Sequence, residues 1–522
     1  MPSDTDGNLF AALRRAFPDD LDATAVETCD TPIPLYYTWR DIDRATARIA
    51  NLLDFLQLPA GSRIAVQVDK SVEALLLYLA VLRAGHVYLP LNSAYQADEI
   101  RYFVGNAEPS VVVCAPRSFG WVSKIAFEAG VSHVFTLGDD RSGTLLDRAA
   151  FHRDEHAPAL RQADDLAAIL YTSGTTGRSK GAMLTHGNLL SNARVLHEVW
   201  GWRRPEAGGD VLLHALPIFH VHGLFVASHG ALLAAAKMLW FNRFDAKAVV
   251  ARLPQATVFM GVPTLYTRLL AEPRFTHETC AGMRLFVSGS APLLAETFEA
   301  FRARTGHAIL ERYGMSETVM LTSNPYRAAD GERRAGTVGR PLPGVQVRVV
   351  DERGHPCPTG QIGGIEVKGP NVFKGYWRMP EKTAEEFTTD LWFRTGDVGF
   401  VDAGGVLTLV GRSKDVIITG GYNVYPAEVE ALLNELPGVG ESAVVGVPHP
   451  DFGEGVVAVV TPRGDARPDP AALIAAAKAR IAGFKVPKHV EVVAELPRNA
   501  MGKVQKNLLR DGLRSLFQPA SA

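Results

Sequence analysis

Cysteine is scarce in this chain: four residues in 522, Cys29, Cys114, Cys280 and Cys357. None stands at metal-ligand spacing from another, which argues against a zinc ribbon or finger, and their dispersal argues against a disulfide-built secreted scaffold. Four free thiols in a reducing cytoplasm are expected, with a structural disulfide as the alternative. Charge of one sign is missing too. Lys and Arg total 54 against 56 Asp and Glu, a formal net charge of −2, so the molecule as a whole has no electrostatic attraction to nucleic acid or to an anionic membrane. Long apolar runs are absent. The two most apolar stretches, Ala74–Leu91 and Gly223–Trp240, are broken by Arg83 and His86 and by His229 and Lys237, and read as buried helix–strand units rather than membrane spans. The first twenty residues, MPSDTDGNLFAALRRAFPDD, lack a basic segment followed by an apolar one, and their early aspartates argue against a transit peptide. The cytoplasm is the expected location. Neither an internal repeat nor a low-complexity tract is visible.

What is present is the composition of a soluble globular protein, 47% hydrophobic and 21% charged. The length suggests about three or four domain-sized units. Short apolar runs at 63–68, 110–114, 133–137, 166–172, 211–215 and 285–288 alternate with helical patterns such as 38–56, 71–84 and 186–199. That alternation predicts α/β architecture with largely parallel sheets. From about residue 333 short strands with Gly/Pro/Asp turns take over, at 345–351, 364–368, 398–402 and 406–410, predicting a β-rich subdomain to residue 411. Beyond it, helices at 426–436 and 470–482 and strands near 442–447, 455–461 and 490–493 predict a small α+β domain over 416–522. The join, 412–415, is short and charged, and is either a hinge or an ordinary linker.

Residues 171–181 read YTSGTTGRSKG and directly follow the apolar run 166–170. Glycines allow close backbone approach, hydroxyls and amides donate hydrogen bonds, and Lys180 brings positive charge, which together suit a polyphosphate. The spacing is not that of the Walker loop, so a different nucleotide-binding family is expected. The plainer reading is a polar surface loop joining a strand to a helix.

Further segments follow in order: PIFHVHG at 217–223, SGSAP at 288–292, ERYGMSET at 311–318, RTGD at 394–397, Gly411-Arg412, and PRNAMGK at 497–503. Together, from about residue 35 to 510, they resemble the acyl-adenylate-forming superfamily of acyl-CoA synthetases, peptide-synthetase adenylation domains and firefly luciferase. The stretches at 215–227, 260–270, 283–294, 311–318 and 369–383 are most similar to those of bacterial malonyl-CoA synthetases. The resemblance implies a large N-terminal part, residues 1–411, made of two α/β sheets plus the β-rich subdomain, and a small mobile C-terminal domain.

The same resemblance implies site residues. Thr172, Ser173, Gly174, Thr175, Thr176, Gly177 and Lys180 would cover the β- and γ-phosphates of ATP. Tyr313 would lie against adenine opposite Ser290, Ala291 and Pro292, within the Glu311, Arg312, Gly314 and Met315 segment. Ser316 would meet the α-phosphate and Glu317 would hold Mg²⁺. Asp397 suits the ribose hydroxyls and Arg412 ribose or phosphate. Lys503 would bridge the substrate carboxylate and the α-phosphate. Lys414 matches a hinge pivot, Gly420, Gly421 and Tyr422 a loop lining the coenzyme A tunnel, and His220 a gate into it, unless it is simply a satisfied core histidine.

Malonate adds one demand: its second carboxylate stays ionised near neutrality and must meet a cation or strong donors. Arg284 is the leading candidate on sequence, with a structural salt bridge as its alternative role; His222 and Arg243 are weaker candidates. The expected reaction is malonate adenylation with release of pyrophosphate, then acyl transfer to coenzyme A. Methylmalonate or a short-chain monocarboxylate are the close alternatives. A module loading a carrier protein would be expected to bring a carrier domain, which is not seen before Ala522. A lysine acetyltransferase and a deacetylase acting on Lys503 are the expected protein partners.

Overall fold

The computed structural model describes residues 7–172, 179–499 and 502–518. The chain divides into two compact units: one of residues 1–335, 339–346 and 368–391, the other of residues 336–338, 347–367 and 392–522.

Among the described residues the first unit holds two sheets. The smaller orders its strands His133–Thr136, Val111–Cys114, Arg63–Gln67, Val87–Pro90, Leu166–Thr172 and Lys180–Thr185, with only the last pair antiparallel. The larger has a parallel centre of Leu310–Tyr313, Leu285–Ser288, Val258–Gly261, Val211–His214, Lys237–Trp240 and Thr24–Thr28, edged by short antiparallel strands. Parallel strands need crossovers, and the helices that supply them are capped as their sequences dictate. Thr38 and Asp41 form a reciprocal box at the start of Trp39–Phe55, Ser71 caps Val72–Arg83, and Thr185 with Asn188 opens His186–Val199.

The apolar stretches fold as buried helix–strand units. Every residue of the Val72–Arg83 helix is buried, Arg83 included, because its guanidinium donates to Asp43 and to the His156 carbonyl. The 223–240 stretch becomes a wide π-turn at His222–Ser228, the helix His229–Leu233 and the strand Lys237–Trp240. Among the described residues no helix is long and apolar enough to cross a membrane.

Thr172 pairs with Lys180 across the antiparallel strands Leu166–Thr172 and Lys180–Thr185, so the described element that follows the first strand is a second strand and not a helix. The helix begins only at His186, after the second strand.

The second unit carries two further sheets. Strands Gln346–Val350, Gly363–Lys368, Phe393–Val401 and Leu407–Arg412 form one. The other combines Tyr422–Val424, Ile417–Thr419, Gly453–Pro462 and Val439–His449, with His489–Val492 parallel to the third. Helices Pro426–Asn434 and Pro470–Lys478 bury Val429, Leu433 and Leu473 with Val444, Val456 and Val460 of this sheet. The helix Lys506–Gly512 packs Leu509 against Val445 and Val457. Between the two sheets, Ser413–Asp415 is a single tight turn, and Asp415 pairs with Arg510 at 3.1 Å.

Candidate active site

In open parallel sheets ligands collect beyond the carboxyl ends of the strands. In the larger sheet of the first unit, three such ends open into the motif segments. Val211–His214 leads to the two histidines, Leu285–Ser288 to the small-residue turn, and Leu310–Tyr313 to the Gly-Met-Ser-Glu loop. The middle and last of these strands pair directly, Ser288 opposite Glu311. Ser290 sits at φ 72°, a conformation that costs a non-glycine residue energy and that clusters at functional sites.

Glu311, Arg312, Tyr313 and Glu317 are all buried; Gly314, Met315, Ser316, Ser290 and Ala291 are half-buried and Pro292 is exposed. The Glu311 carbonyl accepts from the backbone N–H and the side-chain amide of Asn324. Glu317 is 5% exposed. Its Oε1 accepts a hydrogen bond from the Tyr376 hydroxyl at 3.0 Å, and its backbone carbonyl accepts from Phe373 N at 2.8 Å. Among the described residues, no three His, Cys, Asp or Glu side chains gather as a ready-made metal cage. A single buried carboxylate suits Mg²⁺, which takes one or two protein carboxylates and fills its shell with phosphate oxygens and water.

Arg312 is a buried charge at this strand end. It is 3% exposed, and neither its Nε nor its Nη2 has a hydrogen-bond partner. Burial alone pulls its pKa down to about 9, with no carboxylate offsetting it. Gly289 makes room for it: a Cβ there would stand 2.4 Å from the guanidinium carbon. His222 is 1% exposed, and both its ring nitrogens also lack partners. Burial first, then the charge of Arg312, hold this imidazole neutral, well below its ordinary pKa. Ser288, a third residue of this group, has a buried Oγ without a partner. His220 is half-buried, and its Nδ1 lies 3.4 Å from the backbone N–H of His222.

The other two cations named for the second carboxylate are placed differently. Arg284 donates from Nε and Nη2 to the two oxygens of Asp210, at 2.7 and 2.5 Å, and from Nη1 to the Trp200 carbonyl. Its pair is nearly dry, with side chains 9% and 0% exposed, so Arg284 is held in a structural salt bridge, the alternative role that the sequence allows it. Arg243 stands in water: its side chain is 81% exposed and its ion-pair neighbour is Asp139, 3.9 Å away.

Between the strands Leu166–Thr172 and Lys180–Thr185, Thr172 Oγ1 donates to the Lys180 carbonyl. Lys180 Nζ lies 3.3 Å from Glu386 and 4.4 Å from the centre of the Tyr376 ring. Ser173, Gly174, Thr175, Thr176 and Gly177 fall outside the described residues.

In the second unit, Asp397 and Arg412 are cross-strand partners, and Arg412 Nε meets Asp397 Oδ1 at 2.8 Å. Asp397 is 6% exposed. Lys414 lies on the tight turn after Arg412. Gly420 and Gly421 both have positive φ, 56° and 82°, as the turn between two short strands requires. Tyr422 is 59% exposed and stacks on Phe484 at 4.7 Å. Lys503 is exposed on a turn clamped by its own backbone, whose N–H donates to Asn499 Oδ1 and whose carbonyl accepts from Asn499 N.

Two features escaped the sequence reading. Tyr376 stands in the stretch 369–383, whose sequence marks no role for it. Arg312 stands among the nucleotide-motif residues, yet strand alternation turns it away from Glu311 and Tyr313, and that period-two pattern is the signal for it.

Residues 16–377 match the family described as AMP-binding enzyme, and residues 428–503 match the AMP-binding enzyme C-terminal domain. The chain superposes on the crystal structure of ATP-bound MatB from Rhodopseudomonas palustris with a TM-score of 0.94 and 52% identity, covering 98% of this chain and 100% of that one. It is 34% identical to a malonate–CoA ligase of Arabidopsis thaliana, over 87% of this chain and 78% of that protein. It is also 37% identical to a feruloyl-CoA synthase of an Amycolatopsis species, over 94% of this chain and 95% of that protein. The chain belongs to the AMP-binding enzyme family and, within it, to the acid–thiol ligases.

Proposed function

We propose that the protein is an ATP-dependent malonate–CoA ligase. The observation that carries the substrate is that Arg312 and His222 are both buried, with Nε and Nη2 of the one and both ring nitrogens of the other lacking hydrogen-bond partners. A buried guanidinium without a carboxylate is costly, and a small dianion would supply the missing charge. Relatives similar to this chain act on acids as different as malonate and ferulate by name, so family membership alone does not choose the acid.

A carboxylate is a poor acylating agent because oxide is a poor leaving group. In the first half-reaction one malonate oxygen attacks the α-phosphorus of ATP and pyrophosphate leaves. In the second, the coenzyme A thiolate attacks the acyl carbon and AMP leaves with the bonding electron pair. Arg312 and His222 hold the non-reacting carboxylate. Tyr313 and the Ser290–Pro292 turn bracket adenine, Ser316 meets the α-phosphate, and Asp397 with Arg412 takes the ribose. Glu317 holds Mg²⁺, which supplies charge neutralisation for the phosphates. Lys503 offsets the repulsion between the reacting carboxylate and the α-phosphate, a role a mobile point charge can fill. The 412–415 turn is the hinge, with Lys414 its pivot, between residues 1–411 and 416–522. Gly420, Gly421 and Tyr422 line the path of the thiol, and His220 gates it.

The reaction runs in the cytoplasm, where the four unpaired thiols stay reduced. Lys503, exposed on its turn, is accessible to an acetyltransferase and a deacetylase, and acetylation would remove its charge. The test is AMP release from acetate, propionate, malonate, methylmalonate and succinate, with and without coenzyme A. Malonate should give the highest kcat/KM. Methylmalonate should follow within about ten- to two-hundredfold, since one methyl changes binding by about 1–3 kcal/mol. Acetate ahead of malonate would overturn the substrate and leave the reaction class standing.

A further inference from the structure

The segment 373–376 ties together two parts of the first unit that are far apart in sequence. On one side, Phe373 N donates to the Glu317 carbonyl. On the other, Met183 N donates to the Gly375 carbonyl, and Tyr376 bridges to Ala182 on the strand Lys180–Thr185. The side chain of Tyr376 repeats the connection. Its hydroxyl donates to Glu317 Oε1 at 3.0 Å, and its ring lies under the Lys180 ammonium at 4.4 Å. Glu386, one turn beyond Thr383, meets the same ammonium from the Pro380–Glu386 helix.

Tyr376 is itself fixed in place. It is 3% exposed, its backbone N–H donates to Thr383 Oγ1 at 2.8 Å, and Phe373 packs edge-on at 4.8 Å. Packing does not hold the ring from every side, because a cavity of about 740 Å³, lined also by Met183, Met379 and Phe387, opens beside it. The bond to Glu317 and the contact with Lys180 link these three side chains.

We propose that Tyr376 is a positioning residue for adenylation: its hydroxyl orients Glu317 and its ring seats Lys180, so that the carboxylate and the ammonium share one support. The inference rests on the reading of Glu317 as the metal ligand and of Lys180 as a phosphate contact. Partners that orient a ligating carboxylate typically govern metal affinity by ten- to a hundredfold. A cation over a tyrosine face contributes about 0.5–1 kcal/mol at a partly exposed site, or two- to fivefold in affinity.

The test separates the two halves of Tyr376. Mn²⁺ binding to the full-length protein in the presence of α,β-methylene-ATP, which cannot lose pyrophosphate, is read by electron paramagnetic resonance. Nucleotide binding without metal is read by calorimetry in EDTA. Tyr376→Phe keeps the ring and should weaken Mn²⁺ about tenfold or more, with unchanged metal-free nucleotide affinity and unchanged KM for malonate. Tyr376→Leu should also weaken metal-free nucleotide about two- to fivefold. Wild-type Mn²⁺ affinity in Tyr376→Phe, with the expected loss in Glu317→Gln, overturns the positioning role alone. Wild-type affinity in Glu317→Gln overturns the metal-ligand reading and this inference with it. If Tyr376→Leu does not fold, Tyr376→Phe decides.

Discussion

Replacing Arg312 with Met is the perturbation that tests the substrate assignment most directly. The guanidinium is 3% exposed, and two of its nitrogens have no partner in the protein. Malonate bound against it would form a buried, charge-assisted pair. Breaking such a pair from one side costs about 3–5 kcal/mol because the other charge is left dry and uncompensated. In Arg312→Met, kcat/KM for malonate should therefore fall by about two to three and a half orders of magnitude. The contact is to the carboxylate that does not react, so it is equally strong in the ground and transition states, and the loss should appear mainly in KM. Propionate, which has a methyl where malonate has its second carboxylate, should lose nothing and gain from the removal of an unpaired buried charge. The assay is pyrophosphate release with both acids across a KM range. A parallel fall for malonate and propionate would refute the reasoning, because it would make Arg312 part of the nucleotide site or of the fold. Met at this position should also leave the melting temperature of the ligand-free protein unchanged or higher, since an uncompensated charge has left the core.

Lys503→Ala should slow adenylation by about a hundredfold or more while converting preformed malonyl-adenylate to the thioester at the wild-type rate; equal loss in both half-reactions, measured separately by single turnover, would contradict the assignment. Asp210→Ala should cost about 3–5 kcal/mol of stability in urea titration by leaving Arg284 buried and unpaired, with KM for malonate unaltered in the folded fraction; a selective rise in KM would return Arg284 to the substrate pocket. His86 and His229 are held by burial at pKa values of about 4 and about 3, and His214 and His222 lie well below the ordinary value. Between those values and about 6.5 the unfolded chain binds more protons than the folded one, so stability rises with pH and falls as the pH drops from about 6.5 toward 4. His86→Gln should reduce that slope by up to about 1.4 kcal/mol per pH unit, and an unchanged slope would show that His86 is not buried neutral.

The alternation of apolar runs and capped helices made most of the fold legible. Leu285–Ser288, Leu166–Thr172 and His186–Val199 fold where their periodicity places them. Local sequence could not supply the pairings. Thr24–Thr28 lies beside Lys237–Trp240, and Leu166–Thr172 pairs with an antiparallel strand whose six residues, KGAMLT, end in the helix cap itself. A short strand that runs straight into an N-cap carries too little pattern to be separated from the helix that follows it.

The motif segments of the candidate site stand in the sequence in the order that the family resemblance implies. Which cation is open to a second carboxylate is not written in that order, for a physical reason. A buried arginine is available to a ligand only if no carboxylate in the protein has claimed it. Asp210, which claims Arg284, lies 74 residues away in sequence, so proximity to a motif does not show that this cation is already paired. Arg312 stands inside a nucleotide motif. Alternation along Leu310–Tyr313 sends its side chain to the face opposite Glu311 and Tyr313, where Gly289 leaves it space and no carboxylate meets it. What the fold adds to the sequence at this site is an account of which charges are already spent. Among the candidate cations for the second carboxylate in the first unit, Arg284 is spent and Arg243 stands in water, whereas Arg312 is buried with nitrogens still to be satisfied.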